Sequence, residues 1–268
     1  MITLDNNNYY STKANKDYMS VSQFKAFAGS TVRKGCENHA LATLNNTWHD
    51  ETTTALLVGS YVDSYFEGTL AEFKTQHPEI FKKDGNLKSD YVHAEKIIKR
   101  IESDPLFMEY LSGQKQVIMT GEILNIPFKI KMDSYIPDNK IVDLKVMSIF
   151  EEKYVPGPGW VDPITFWGYD IQGAVYQEIV RQNTGKILPF YIAAATKEKE
   201  PDIEIIHIPD DRLTKALEFV TDNLPHIMDV KNNKILPVRC EKCDCCKSGK
   251  RLVKPIELGE FINNCTKS

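Results

Sequence analysis

The chain switches between two hydrophobic periods. In its first 110 residues the pattern is helical. Ser20 or Ser22 caps a predicted helix through VSQFKAFAGSTV, where Val21, Phe24 and Phe27 form one stripe. A second helix is read around ENHALATLNN. Residues 55–68, ALLVGSYVDSYFEG, carry Leu56, Leu57, Tyr61, Tyr65 and Phe66 at helical spacing, with Gly59 among them as a place for close approach. Residues 1–18 read as an extended arm and residues 71–88 as polar loop. The pattern predicts a helix over 89–112 that buries Ile97, Ile98, Ile101 and Leu106 and is interrupted at Pro105.

The period then drops to two. QVIMTGEIL and IPFKIKMDSYI alternate apolar and polar residues and are rich in β-branched ones, which predicts a hairpin. A turn at Pro137-Asp138-Asn139 leads into a short strand, KIVDLKVM. A mobile stretch with YVPGPGW follows, then a long helix over residues 166–182. The continuous apolar run ILPFYIAAA reads as a buried strand, EIIHIP as another, and 210–230 as an amphipathic helix. Interleaved helices and strands define an α/β fold with a central mixed sheet flanked by helices. One domain is expected: a core over 55–230, an N-terminal helical extension over 1–54, and a Cys-rich tail over 231–268.

Composition narrows the function. Hydrophobic residues at 42% and charged residues at 26% exclude a disordered tail, a collagen-like fibre and a coiled coil. With 33 Lys and Arg against 37 Asp and Glu, the net charge of −4 excludes a simple cationic coat for nucleic acid. Any DNA contact must then come from a local basic patch or through metal ions. No apolar run approaches the ~20 residues of a membrane span, and the polar N-terminus lacks a secretory core, so an intracellular protein without membrane attachment is expected. Four of the six cysteines, Cys240, Cys243, Cys245 and Cys246, fall in one short segment, and clustered thiols in a reducing compartment point to metal.

The chemistry concentrates in Asp133-Ser-Tyr-Ile-Pro-Asp-Asn-Lys-Ile-Val-Asp143-Leu-Lys145. Asp143 and Lys145, two apart on a strand, share one face, and a turn folds Asp133 back beside them. Two carboxylates and an ammonium then converge, and hard oxygen ligands are what Mg²⁺ or Mn²⁺ requires. The lysine would orient or help deprotonate water, or stabilise charge developing on phosphate. The alternative is an ordinary surface hairpin. Against it, the charged residues alternate with Ile141, Val142, Leu144 and Val146, and burying them is costly unless they are paired or metal-bound. Gln172 and Tyr176, four apart, share a helix face and either bond phosphate or the attacking water, or simply pack. Glu122 is either a further acidic ligand or a solvated hairpin charge, and Glu67 is read as facing solvent. The six histidines form no close pair with metal spacing.

Asp133…Asp143-Leu144-Lys145 resembles the PD-(D/E)xK nuclease motif, with its restriction-endonuclease-like core. Gln172-Gly-Ala-Val-Tyr176 resembles the Q-x3-Y motif of the RecB-like and lambda-exonuclease-like branch. Gly59-Ser-Tyr-Val-Asp63 stands where that branch has G-x3-H, with Asp63 in place of the histidine. The order of motifs is kept over roughly residues 20–250, and the nearest likeness is to phage RecE-type, exodeoxyribonuclease VIII-like exonucleases. The resemblance implies Mg²⁺ or Mn²⁺ held by Asp133, Asp143 and the Leu144 carbonyl, with Asp63 as a further ligand and Lys145 positioning the attacking water. It also implies 5′→3′ degradation of one strand of duplex DNA, a RecT-type single-strand annealing partner, a homo-oligomer, and a phage or prophage gene expressed in the bacterial cytoplasm. Some RecB-like nucleases hold a [4Fe–4S] cluster with one Cys before the core and three after. Cys36 with Cys240, Cys243 and Cys246 resembles that set, with Zn²⁺ or free thiols as alternatives. Two readings of another class stay open: a catalytically silent nuclease fold that binds DNA, and a zinc-binding interaction module.

Overall fold

A computed structural model describes residues 1–266 of the chain, so the last two residues of the Cys-rich tail lie outside the described residues. The N-terminal half is helical, with α1 (Thr12–Asp17), α2 (Val21–Ala28), α3 (Glu37–Leu44), α4 (Thr54–Glu67), α5 (Leu70–Gln76), α6 (Ser89–Glu102) and α7 (Pro105–Tyr110). Side-chain caps set several of these starts: Ser11, Ser20, Thr53 and Asp104 each accept a backbone N–H from the first turn. The strands and remaining helices follow as β1 (Val117–Ile123), β2 (Ile126–Met132), β3 (Ser134–Ile136), β4 (Lys140–Met147), β5 (Lys153–Val155), β6 (Gly159–Val161), α8 (Pro163–Trp167), α9 (Tyr169–Thr184), β7 (Phe190–Thr196), β8 (Ile203–Ile208), α10 (Asp210–Lys231), α11 (Asp244–Ser248) and α12 (Leu258–Thr266).

The central sheet has the order β3-β4-β7-β8. β4 and β7 are parallel, joined by a crossover that includes α9, and the outer pairings are antiparallel, so the sheet is mixed as expected. Alternation along β4 and β7 splits the core into two layers. Ile141, Met147, Phe190, Ile192 and Ala194 pack with α9 and α10, whereas Val142, Leu144, Ala193 and Ala195 pack with α4 and α6. Asp143 and Lys145 have the parity of the α9 side. β1 and β2 form a separate antiparallel hairpin.

The predicted hairpin is present, each of the six predicted helices has a counterpart in α2, α3, α4, α6, α9 and α10, and several readings are corrected. The N-terminal arm contains α1 and folds back on the hairpin: Met19 N–H donates to Pro127 O and Lys129 N–H to Met19 O, both tertiary contacts that leave no periodic trace. Within 71–88, α5 forms because Phe73 packs edge-on against the buried Tyr61. Asp104 caps a new helix at Pro105, and the restart turns Phe107 into the core and leaves Leu106 exposed. Gly59 faces open space, so nothing approaches it. The YVPGPGW stretch is a hairpin, β5–β6, with Gly157 and Gly159 at positive φ in and beside its turn.

Candidate active site

Asp133 occupies the single position between β2 and β3, where the chain leaves one sheet and enters the other. Ser134 pairs with Val142 in the β3–β4 register, so the next step of that ladder puts Asp133 opposite Asp143. The backbone ladder stops there because the Asp133 side chain replaces it: Leu144 N–H donates to Asp133 Oδ2 at 2.9 Å. Gln116 Nε2 donates to Asp133 Oδ1 at 3.3 Å. Asp143 is 2% exposed and lies in an ion pair with Lys145. Lys145 Nζ also donates to the Leu144 carbonyl at 3.4 Å and lies 5.5 Å from the centre of the Tyr169 ring. Asp133, Asp143, Leu144 and Lys145 therefore meet at one point.

The α9 and α4 helices complete the surroundings. Gln172 Nε2 donates to Asp143 Oδ1 at 2.6 Å. Tyr176 is buried and its hydroxyl donates to the Lys131 carbonyl at 2.9 Å, so it braces β2 rather than pointing a free phenol at phosphate. Asp63 and Glu67, one turn apart on α4, line a small cavity with Asp133, Leu144 and Lys115. That cavity is about 10 Å³, roughly one water-sized sphere. Glu67, read from sequence as a solvent-facing residue, is half-buried and contributes its charge to this cavity. Glu122 is not brought to the site. It pairs with Pro127 near the tip of the β1–β2 hairpin, exposed, five residues along the strand from the end where Val117 meets Met132.

Burial and mutual repulsion of the carboxylates dominate the electrostatics of the cluster. Burial, then the Asp143 charge, pushes Asp133 up to about 7. Burial and the charge of Asp133 raise Asp63 well above the usual carboxylate range. Burial alone would lower Lys145, but Asp143 and Asp133 outweigh it and hold the ammonium charged. Asp63 Oδ1 is buried with no hydrogen-bond partner. An orphaned, buried carboxylate oxygen facing other carboxylates fits a hard divalent cation.

The thiols form a second cluster. Cys36, Cys240, Cys243 and Cys246 place their sulfurs within 4.8 Å of one another. Cys36 immediately precedes α3, Cys240 and Cys243 precede α11, and Cys246 lies within it. Lys242 and Cys243 N–H donate to Cys240 Sγ at 3.4 and 3.3 Å, and Cys246 N–H donates to Cys243 Sγ at 3.4 Å. Burial raises Cys36 and pushes Cys243 up to about 12, whereas at Cys240 the amides outweigh burial and hold the thiol down at about 6. Four sulfurs with amide donors fit a thiolate-bound metal. Cys245 stands apart, buried and near Asn38 Nδ2 at 3.6 Å.

A mixed sheet that delivers Asp133, Asp143 and Lys145 to one point, backed by a helix bearing Gln172 and Tyr176, defines a PD-(D/E)xK-type domain. The profile of the PDDEXK-like domain of unknown function (DUF3799) matches residues 20–249, and the chain belongs to that family. Among solved structures it is similar to a protein from Eubacterium rectale, described as a "putative exonuclease", at 56% identity over 97% of this chain and 98% of that one, with a TM-score of 0.94. A structure of SSO0001 is similar at 13% identity over 70% of this chain and 84% of its own, and its TM-score of 0.28 is too low to carry an argument. No curated protein matches the chain.

Proposed function

We propose that the protein is a divalent-metal-dependent exonuclease that hydrolyses phosphodiester bonds of duplex DNA in the 5′→3′ direction. The observation that supports it is the convergence of Asp133, Asp143 and Lys145 beside an unpartnered, buried carboxylate oxygen of Asp63. Asp63, Asp133, Asp143 and the Leu144 carbonyl would hold Mg²⁺ or Mn²⁺, with Glu67 at the rim. Such an ion supplies Lewis acidity toward a phosphoryl oxygen and makes bound water more acidic.

The side chains have separate tasks. Gln172 fixes the rotamer of Asp143 through its amide. Tyr176 fixes the β2 backbone at Lys131. Lys145, held protonated by its carboxylate neighbours, acts as a donor and a positive charge toward the attacking water or the phosphate, and not as the base. The exonucleolytic mode is carried over from the similarity to the Eubacterium rectale protein. Polarity, a role in phage-type recombination with a RecT-type annealing protein, a homo-oligomeric assembly, and the bacterial cytoplasm rest on the resemblance to RecE-type exonucleases. Among the described residues no helix is long and apolar enough to cross a membrane. The four thiols would hold a [4Fe–4S] cluster or Zn²⁺ in a structural role, joining the start of α3 to the tail.

A timed digest of duplex DNA labelled at one 5′ end tests the proposal. With Mg²⁺ the wild type is expected to release label from the end, with EDTA to release none, and Lys145→Ala to release very little. Equal, negligible release by wild type and Lys145→Ala would overturn it in favour of a silent DNA-binding fold.

A further inference from the structure

The segment between α7 and β1 meets the acidic cluster twice. Gln116 Nε2 donates to Asp133 Oδ1 at 3.3 Å, and Lys115, next to it in the chain, lines the acidic cavity with Asp63, Glu67, Asp133 and Leu144. Neither residue belongs to the motifs that define the domain. The segment is clamped against the open edge of the central sheet. Gln114 N–H donates to the Tyr135 carbonyl at 2.8 Å and Tyr135 N–H to the Gln114 carbonyl at 2.9 Å, which adds one antiparallel bridge to β3. Gly113 N–H donates to Ser134 Oγ at 3.0 Å, and that hydroxyl donates to the Tyr110 carbonyl at 2.9 Å. A Cβ on Gly113 would come within 2.6 Å of the Tyr135 carbonyl oxygen, so the clamp closes only on a glycine. Its partners, Ser134 and Tyr135, are the two residues that directly follow Asp133.

The clamp delivers Gln116 in a conformation that glutamine does not favour. Its φ is 53°, in the left-handed region where glycine and asparagine are at home. Such a conformation persists only where the surroundings impose it, and it collects at functional sites. Here it turns an amide toward a buried carboxylate. Asp133 Oδ2 already accepts from Leu144 N–H at 2.9 Å, so Gln116 holds the remaining oxygen. The arrangement repeats the one at Asp143, whose Oδ1 accepts from the Gln172 amide at 2.6 Å. Each carboxylate of the Asp133–Asp143 pair thus has a glutamine of its own, one from α9 and one from the α7–β1 segment. Lys115 acts in another sense. Burial lowers it and the charge of Asp133 opposes that, so its ammonium faces the same carboxylates that a divalent cation would join, with a charge of the same sign as the cation.

We propose that Gln116 is a positioning residue of the active site, holding Asp133 Oδ1 in the direction of the metal, and that its neighbour Lys115 opposes the same metal by charge. The inference deepens the nuclease reading and rests on it, because it takes Asp133 as a ligand of the divalent cation.

Calorimetric titration of the full chain with Mn²⁺, in the absence of DNA, tests this without any cleavage. Gln116→Leu keeps the size of the side chain and removes its donors, and should weaken Mn²⁺ by about tenfold or more, as loss of the partner of a metal ligand does. Gln116→Gly should weaken it as much without lowering the melting temperature of the metal-free protein, because glycine accepts the positive φ. Lys115→Met should act the other way and tighten Mn²⁺ by about threefold or more. General loosening of the segment would move both neighbours in one direction, so the opposite signs separate positioning from folding. On linear duplex at saturating Mg²⁺, Gln116→Leu should lower kcat by about tenfold or more with little change in KM. Wild-type Mn²⁺ affinity in both Gln116 variants, a loss confined to a variant whose melting temperature falls, or a Lys115→Met that weakens Mn²⁺ would overturn the proposal. Failure of the nuclease reading would appear separately, as intact end-labelled duplex after incubation with the wild type, and the titrations would still decide Gln116.

Discussion

The amide of Gln172 on α9 donates to the carboxylate of Asp143 on β4 at 2.6 Å, across the packed face of the sheet. The bond leaves Oδ2 as the oxygen in the ion pair with Lys145. A carboxylate held at one oxygen presents the other in a fixed direction. Gln172→Ala should therefore lower kcat by about tenfold to a hundredfold with little change in KM for DNA, the size of effect seen when the partner of a metal-ligating residue is removed. Gln172→Glu should be worse, because it sets two carboxylates side by side. Steady-state digestion of a linear duplex checks both.

Lys145 is expected to be needed as a charge. Lys145→Ala should reduce the single-turnover rate by about a hundredfold or more, and Lys145→Gln should not recover it. Lys145→Arg, which keeps the charge but changes its shape, should fall between. A gel assay with bound duplex in Ca²⁺ should show that DNA affinity falls much less than rate.

Stability should depend on pH in a direction set by the acidic cluster. Asp133 ionises near 7 in the folded protein, owing to burial and the charge of Asp143, against 3.8 for the ordinary side chain, and Asp63 is raised as well. Between those values the folded state binds more protons than the unfolded one. The contribution is thus complete below about pH 4 and lost as pH rises through about 7, each tenfold difference in proton affinity between the two states being worth about 1.4 kcal/mol. In metal-free buffer the melting temperature of the wild type, measured relative to Asp133→Asn, should fall by several degrees, at about 2–4 °C per kcal/mol, between pH 5 and pH 8. Added Mg²⁺ should reverse the fall at pH 8, where the carboxylates are ionised.

The two glutamates distinguish the acidic site from the hairpin tip. Glu67→Gln should weaken Mn²⁺ binding, followed by calorimetry, because Glu67 adds charge to the cavity of Asp63 and Asp133. Glu122→Gln should leave Mn²⁺ affinity unchanged, since that residue is exposed at the far end of β1.

Cysteine variants should separate a ligand from its sequence neighbour. Cys246→Ser should abolish stoichiometric metal, measured by elemental analysis and by the absorbance spectrum of anaerobically purified protein. Cys245→Ser should keep it, because Cys245 is outside the set of four sulfurs.

What could be read from the sequence follows from how local each signal is. The Asp143-Leu144-Lys145 triplet sits on one strand, where alternation alone assigns faces, and the four spaced cysteines carry their own chemistry. Gln172 and Tyr176 were legible as one helix face, but the chain gives no clue that one holds a carboxylate and the other a carbonyl 45 residues away. Glu122 and Glu67 exchanged places for the same reason. Both are acids on regular elements, and only tertiary packing decides which turn of α4 meets the end of β2. A helical spacing of Asp63 and Glu67 one turn apart was the sole signal that could have found the second carboxylate.

Cys36 and Cys246 sit 3.5 Å apart, sulfur to sulfur, although 210 positions separate them along the chain. During synthesis the first thiol leaves the ribosome long before its three companions, and it must wait for every catalytic strand to be made. The arm before it is already tied to the β1–β2 hairpin through Met19 and Lys129, so closure of the thiol set would be a second, later fastening that joins the start of α3 to the tail once the central sheet exists.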